Sequence, residues 1–249
     1  MSTIMQNYLH QVQKNLGYRA TWEPHRPMKV GTYGKIHQGI FSAYGHIDDL
    51  NIVHTVDKLK TSNQLTYKSE EKGSYTLKAK GEINPLFQKI STDEAGLLII
   101  FKKDNSIVFK IQDITYFTLQ NKAEIAEKLE KLSLVNQWDA SYLIITETLQ
   151  SEKTSILLSK KKNSEVEIKY ENGDNPGILN IANIDFFGEI IRSKGMSLQF
   201  TTNSDSTPLF KLSKLKIAVL VPEKNRMVQE KPMPTLVEVD FDIYEMTND

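Results

Sequence analysis

Residues 142–191 read YLIITETLQSEKTSILLSKKKNSEVEIKYENGDNPGILNIANIDFFGEII, and their patterning decides the fold class. Tyr142 to Thr148 is a β-branched run, and Ile156, Leu157 and Leu158 follow with little interruption. After Lys160, Lys161 and Lys162 the sequence alternates. Successive side chains of a strand point to opposite faces, so Val166, Ile168 and Tyr170 share one face and Glu165, Glu167, Lys169 and Glu171 the other. Asn172 to Gly177 are turn residues, because glycine supplies positive φ, proline fixes φ, and Asn and Asp bond their own backbone. A strand-like run then resumes from Ile178 to Ile191, with Ile181 and Ile184 in register. The stretch predicts a long hairpin, 155–170 against 178–191.

Working outward, residues 3–16 predict an amphipathic helix, with Met5, Tyr8, Leu9, Val12 and Leu16 spaced by three and four and Gly17 as the stop. Lys35 to Phe41 reads as a short strand or hairpin, and Ile47 to Ile52 as a brief helical turn starting at Asp48. From Leu65 the chain becomes strand-rich, and Tyr75, Leu77 and Ala79 alternate with polar neighbours. Gly96 to Phe101 and Ser106 to Ile114, the latter with Ile107, Phe109 and Ile111 on one side, read as two strands of a hairpin closed by Lys102 to Asn105. Asn121 to Leu134 predicts a helix with Asn121 as cap, Glu124 completing a capping box, and a stripe of Ile125, Leu129 and Leu132. Met196 to Thr202 and Leu209 to Val221 predict closing strands with Pro208 between them. Residues 222–234 read as a linker, and Thr235 to Tyr244 as an edge strand with Val237, Val239, Phe241 and Ile243 on one face.

The fold class expected is therefore α+β: an elongated, twisted antiparallel sheet with flanking helices. The organisation expected is a body, residues 1–221, followed by a linker and short acidic strand, residues 222–249. The 249 residues are ample for a core. The absence of cysteine excludes disulfides, thiolate metal sites, cysteine nucleophiles and S-acylation. Met1 to Leu16 lacks a signal-peptide core and no window of about 18 apolar residues occurs, so a soluble, cytoplasmic chain is expected. The net charge is zero but unevenly placed: residues 222–249 hold three basic and seven acidic side chains, leaving 28 basic and 24 acidic on residues 1–221.

Chemistry-bearing motifs are sparse. His10, His25, His37, His46 and His54 stand at no metal-helix spacing and read as scattered surface or loop residues. Gly34 to Gly39 lacks the Gly-Lys-Ser/Thr ending of a phosphate loop, and no Gly-x-Ser-x-Gly elbow occurs. The pairs Asp48/Asp49 and Glu70/Glu71 would point to opposite faces of a strand. Lys160 to Lys162 lack the aromatic interleaving of a nucleic-acid patch and read as a solvated strand end. No enzyme activity, cofactor, metal or nucleic-acid partner is expected.

The order of elements, together with Phe41-Ser-Ala-Tyr-Gly-His-Ile-Asp-Asp-Leu50, Trp138-Asp-Ala-Ser-Tyr-Leu-Ile-Ile-Thr-Glu-Thr-Leu149 and Pro208-Leu-Phe-Lys-Leu-Ser-Lys-Leu215, resembles the gasdermin pore-forming domain, particularly its compact bacterial and fungal forms, over about residues 4–221. The resemblance implies a soluble, autoinhibited chain that a protease cuts near its C-terminus. The released body then binds membrane and oligomerises, and two hairpin regions per subunit become strands of a barrel. Carried onto this sequence, the membrane-inserting residues are Tyr75, Leu77, Ala79, Ile107, Phe109, Ile111, Ile156, Leu158, Val166, Ile168, Tyr170, Ile181 and Phe187. Lys160, Lys161 and Lys162 become the basic lipid contacts, Lys224 and Arg226 the cleavage candidates, and Val237, Val239, Phe241 and Ile243 the autoinhibitory face. The partners implied are anionic lipids of the inner or plasma membrane, an activating protease and further copies of the chain. Bacterial members often carry a lipidated cysteine, which this chain lacks. The alternative reading is a non-enzymatic, β-rich interaction module whose strands never leave the soluble fold.

Overall fold

The computed structural model describes residues 3–24, 26–69, 75–79, 96–169, 189–202, 204–217 and 233–239. In chain order they form α1 (Thr3–Leu16), β1 (Arg19–Ala20), β2 (Thr32–His37), β3 (Ile40–His46), a 3-10 turn (Ile47–Leu50), β4 (Val56–Lys68), β5 (Tyr75–Ala79), β6 (Gly96–Phe101), β7 (Ile107–Leu119), α2 (Lys122–Leu134), β8 (Leu143–Ser159), β9 (Glu165–Lys169), β10 (Glu189–Lys194), β11 (Met196–Thr202), β12 (Ser206–Lys216) and β13 (Thr235–Glu238). The fold is α+β with a large antiparallel sheet, as the strand patterns predicted. A nine-stranded sheet is organised around the 17-residue β8, with which β12, β2, β7 and β11 pair; β3 pairs with β2, β4 with β7, and β1 and β13 with β12. A separate four-stranded sheet runs in the order β10-β9-β6-β5.

The chain divides into two compact units, and β4, β7, β8 and β12 each contribute residues to both. The first comprises residues 1–26, 60–114 and 150–208. Its helix α1 buries Met5, Tyr8, Leu9 and Val12, and Gly17 ends it at φ 69°, a left-handed conformation that costs glycine nothing. The core of this unit joins Ile99 and Phe101 of β6 and Val166 and Ile168 of β9 to Val108 of β7 and Leu157 of β8, so the four-stranded sheet packs face to face on the larger one here.

The second unit comprises residues 27–59, 115–149 and 209–249. Gln38 and Gly39 close its β2–β3 hairpin with φ of 52° and 82°, the two left-handed residues that a two-residue hairpin turn requires. Helix α2 packs Ile125, Ala126 and Leu129 against Ile47, Ile52, Leu119, Trp138 and Ile144.

Several expectations are corrected. Residues 155–170 are not one strand: β8 ends at Ser159, and Lys160 to Ser164 turn before β9. Asn163 sits at φ 61° and Ser164 Oγ donates to Lys161 O at 2.6 Å, a local geometry that an extended chain does not allow. Residues 96–101 and 106–114 do not pair with each other; β6 pairs with β5 and β9, and β7 with β4 and β8. The run 96–101 is apolar on both faces, so its pattern carries no information about its partner. The last hairpin pairs β9 with β10, Glu189 opposite Lys169 and Lys194 opposite Glu165, so its second strand runs three residues past the expected end at Ile191, while residues 170–188 lie outside the described residues. Glu167, on the charged face of the alternation, is buried at 7% exposure; Arg192 is its cross-strand neighbour. Pro208 lies inside β12 rather than before it, and its carbonyl accepts from Thr21 N at 2.9 Å. Strand β4 begins nine residues earlier than Leu65, at Val56. Asn121 makes no capping hydrogen bond. Its Oδ1 accepts from Thr55 N at 2.9 Å, and its Nδ2 donates to Val53 O and to Glu124 Oε2, so the side chain ties down the 53–55 loop instead.

Candidate functional site

The chain changes sheets four times within the first unit, between β4 and β5 and at Lys102–Ser106, Lys160–Ser164 and Gly195, and the last three crossings meet at one corner. Asn163 N donates to Phe101 O at 2.8 Å, Phe101 N to Ser164 O at 2.9 Å, Lys160 N to Gly195 O at 2.9 Å and Ser159 N to Ser106 O at 2.9 Å. Three buried serines complete the corner. Ser106 N donates to Ser159 Oγ, Ser159 Oγ donates to Lys103 O at 3.1 Å, and Ser164 Oγ reaches Gly195 O. Gly195 turns here at φ 69°, and a Cβ on it would lie 2.9 Å from Ser164 Oγ. The outside of the corner is basic: Lys102, Lys103, Lys160, Lys161, Lys162 and Lys194 are all exposed, and the one acid among these turns, Asp104, accepts from Lys162 N. Sequence reading found Lys160–Lys162; it missed Lys102, Lys103 and Lys194, because only the folded chain brings the three crossings together.

Of the residues read as membrane-inserting, Tyr75, Leu77 and Ala79 lie in β5 and pair with Phe101, Ile99 and Leu97 of β6. Val166 and Ile168 are fully buried in β9. Ile107, Phe109 and Ile111 belong to β7, and Ile156 and Leu158 to β8; all five are buried in the nine-stranded sheet, not in the four-stranded one. Tyr170, Ile181, Phe187, Lys224, Arg226, Phe241 and Ile243 lie outside the described residues. Val237 and Val239 do not share a dry face. Val239 is buried against Leu143, Ile145, Phe210 and Leu212, whereas Val237 is 44% exposed. Strand β13 pairs antiparallel with residues 213–216 of β12, Val239 N donates to Leu212 O at 3.0 Å, and Lys211 pairs with Glu238.

In the second unit, two further clusters escaped the sequence. Tyr33, Trp138, Tyr142 and Tyr44 stack with ring centroids 5.2–5.8 Å apart, and Lys35 lies 5.2 Å over the Tyr142 ring. Lys35 Nζ also donates to Asp139 Oδ2 at 2.7 Å. That ammonium, with the hydroxyl and amide of Ser141, holds the Asp139 carboxyl well below the usual carboxylate range, and the bond raises Lys35 in turn. His46, Asp48 and His54 converge at the 3-10 turn: Asp48 Oδ2 lies 3.1 Å from His46 Nδ1, and Asp48 Oδ1 3.0 Å from His54 Nδ1. The His-x-Asp spacing was the only sequence signal for this group, since His54 reaches it through the intervening loop.

No family profile and no curated protein matches the chain. Among the described residues no helix is long and apolar enough to cross a membrane, which leaves crossing by strands untouched.

Proposed function

We propose that this chain is a pore-forming protein that inserts its two hairpins, β5–β6 and β9–β10, into an anionic membrane and assembles with further copies into a β-barrel. The observation that carries the reading is the four-stranded sheet itself, which among the described residues is made of those two hairpins laid side by side. Residues 75–101 and 165–194 are each longer than the roughly 20 residues that two spanning strands of about 9–11 residues need. In hydrocarbon every backbone polar group must be paired, so strands cross only as a closed barrel and insertion requires oligomerisation.

Energetics support the exchange. Ile99, Val166 and Ile168 give up a dry core, worth about 1.5–3 kcal/mol each against water. Lipid tails are as apolar as that core, so the cost falls on the transit and not on the end state. Glu165, Glu167 and Lys169 then face a wet lumen while Val166 and Ile168 face lipid. The basic corner stands where the hairpins leave the larger sheet, and each lysine near an anionic surface contributes about 1 kcal/mol of attraction. Strand β13 is the restraint: it occupies the β12 backbone at residues 213–216, which without it is a free edge open to a neighbouring copy.

Dye release from anionic liposomes tests the reading. A chain ending at Arg226 is expected to release dye and the full chain to retain it, with release reduced when Lys160, Lys161 and Lys162 are replaced by glutamate. Equal inertness of the long and short chains defeats the proposal and favours a static interaction module.

A further inference from the structure

We propose that His46, Asp48 and His54 form a binding site for a divalent transition-metal ion, zinc foremost. This inference stands apart from the pore reading. Its first support is the direction of the His46 ring. Nε2 lies 2.8 Å from the carbonyl of Val30, an atom that only accepts, so Nε2 carries the proton and donates it. Nδ1 accepts from Asp48 N at 3.3 Å, so its lone pair faces the turn. That nitrogen stands 3.1 Å from a carboxylate oxygen of Asp48, a separation at which two acceptors repel unless a proton or a metal ion lies between them. His54 Nδ1 approaches the other oxygen of the same carboxylate, and the three donor atoms lie within 4.8 Å of one another.

The spacing fits a small ion. Ligands about 2.0–2.1 Å from a tetrahedral zinc stand about 3.3 Å apart; each imidazole nitrogen lies 3.0–3.1 Å from its own oxygen of the Asp48 carboxylate, so the ion would sit before both oxygens of that group. Two imidazoles and a carboxylate suit zinc, cobalt or ferrous iron rather than magnesium or calcium, which take oxygen donors. The surroundings hold the ligands in place. The Nε2–H bond to Val30 O is the outer-shell contact that fixes a metal-bound histidine's tautomer. Gly31 lets the ring lie flat on the backbone: a Cβ there would stand 2.8 Å from His46 Nε2, and its φ of 88° is one that other residues avoid. Asp49 Oδ2 accepts from His46 N at 2.9 Å, pinning the same residue from its backbone side. The two imidazoles are largely covered while Asp48 is exposed, so water completes the coordination from outside.

The test uses the untagged full chain, with zinc binding followed by calorimetry and cobalt binding by its visible absorption. One equivalent of zinc is expected to bind, with cobalt giving d–d bands and magnesium failing to compete. His54→Ala and Asp48→Asn are each expected to weaken binding by more than about 100-fold, and Gly31→Ala, whose Cβ meets the His46 ring and Ile47 at a φ that strains any side chain, by about 10-fold to 100-fold. His10→Ala and His37→Ala leave it unchanged. Asp48→Asn, at an exposed position, carries the test should His54→Ala fail to fold by circular dichroism. The proposal is overturned if the full chain takes up no zinc, or if Asp48→Asn binds as tightly as the unaltered chain.

Discussion

The β2–β3 hairpin and the hairpins of the four-stranded sheet are built on opposite principles. In β2–β3 two left-handed residues, Gln38 and Gly39, close the turn and fix six paired positions locally. One residue, Tyr44, is extra: Gly34 pairs with Ala43 and Tyr33 with Gly45, and the bulge turns Tyr44 half outward. In β5–β6 and β9–β10 the described pairing joins 75–79 to 97–101 and 165–169 to 189–194, and 16 and 19 residues, 80–95 and 170–188, lie between the described strands. Among the described residues, the register of these two hairpins is held by side chains in the core and by the β6–β9 seam. A hairpin specified by its turn cannot change partners without refolding; one specified by its packing can, once that packing is replaced.

Breaking each hairpin by its own principle gives the sharpest contrast. Gly34→Ala would place a Cβ 1.9 Å from the backbone oxygen of Ser42, a clash that only a backbone shift relieves. It is expected to cost about 3 kcal/mol or more in urea unfolding, with amide protection lost along β2 and β3. Ile168→Ala removes a fully buried side chain from the β6–β9 core and is expected to cost about 2–4 kcal/mol. Hydrogen exchange is expected to rise in β5, β6, β9 and β10 while β2–β3 stays protected; a uniform rise would erase the distinction between the two kinds of hairpin. The smallest effect concerns Lys35 and Asp139. The Asp139 carboxyl is held below its unfolded value of about 3.9, so its contribution is present above that value and is lost as pH falls through it toward the folded value. The stability difference between the unaltered chain and Asp139→Asn is therefore expected to narrow from about pH 5 downward, and a gap constant to pH 2 would remove the pair from the hairpin's account.

What the sequence made legible follows the same division. Helix α1 was readable to the residue because its apolar spacing and its Gly17 stop are local, whereas Lys35 to Phe41 read only as a short strand or hairpin and the structure makes it the tip of a hairpin running from Thr32 to His46. The partner of Gly96–Phe101 was not readable: an adjacent apolar run beginning at Ile107 looked like its mate, and only the corner at Ser106, Ser159 and Ser164 sends the two into different sheets. The half-turn of β13 that buries Val239 and exposes Val237 was likewise hidden, because strict alternation assumes that the strand continues past Glu238. The histidine cluster failed for the plainest reason. His54 is eight residues from His46 in sequence, and nothing in the intervening residues announces that the loop folds back.

The β6–β9 seam has one practical corollary. Leu98 stands opposite Glu167 across that seam, and the chain contains no cysteine of its own. Directly opposed residues of antiparallel strands lie about 4.5–5.5 Å apart at Cα, within the span that a disulfide bridges. A pair of cysteines placed there would be the molecule's sole thiols, able to staple one hairpin to the other in oxidising buffer and to free them on adding a reductant, which turns the seam into an experimentally operated latch.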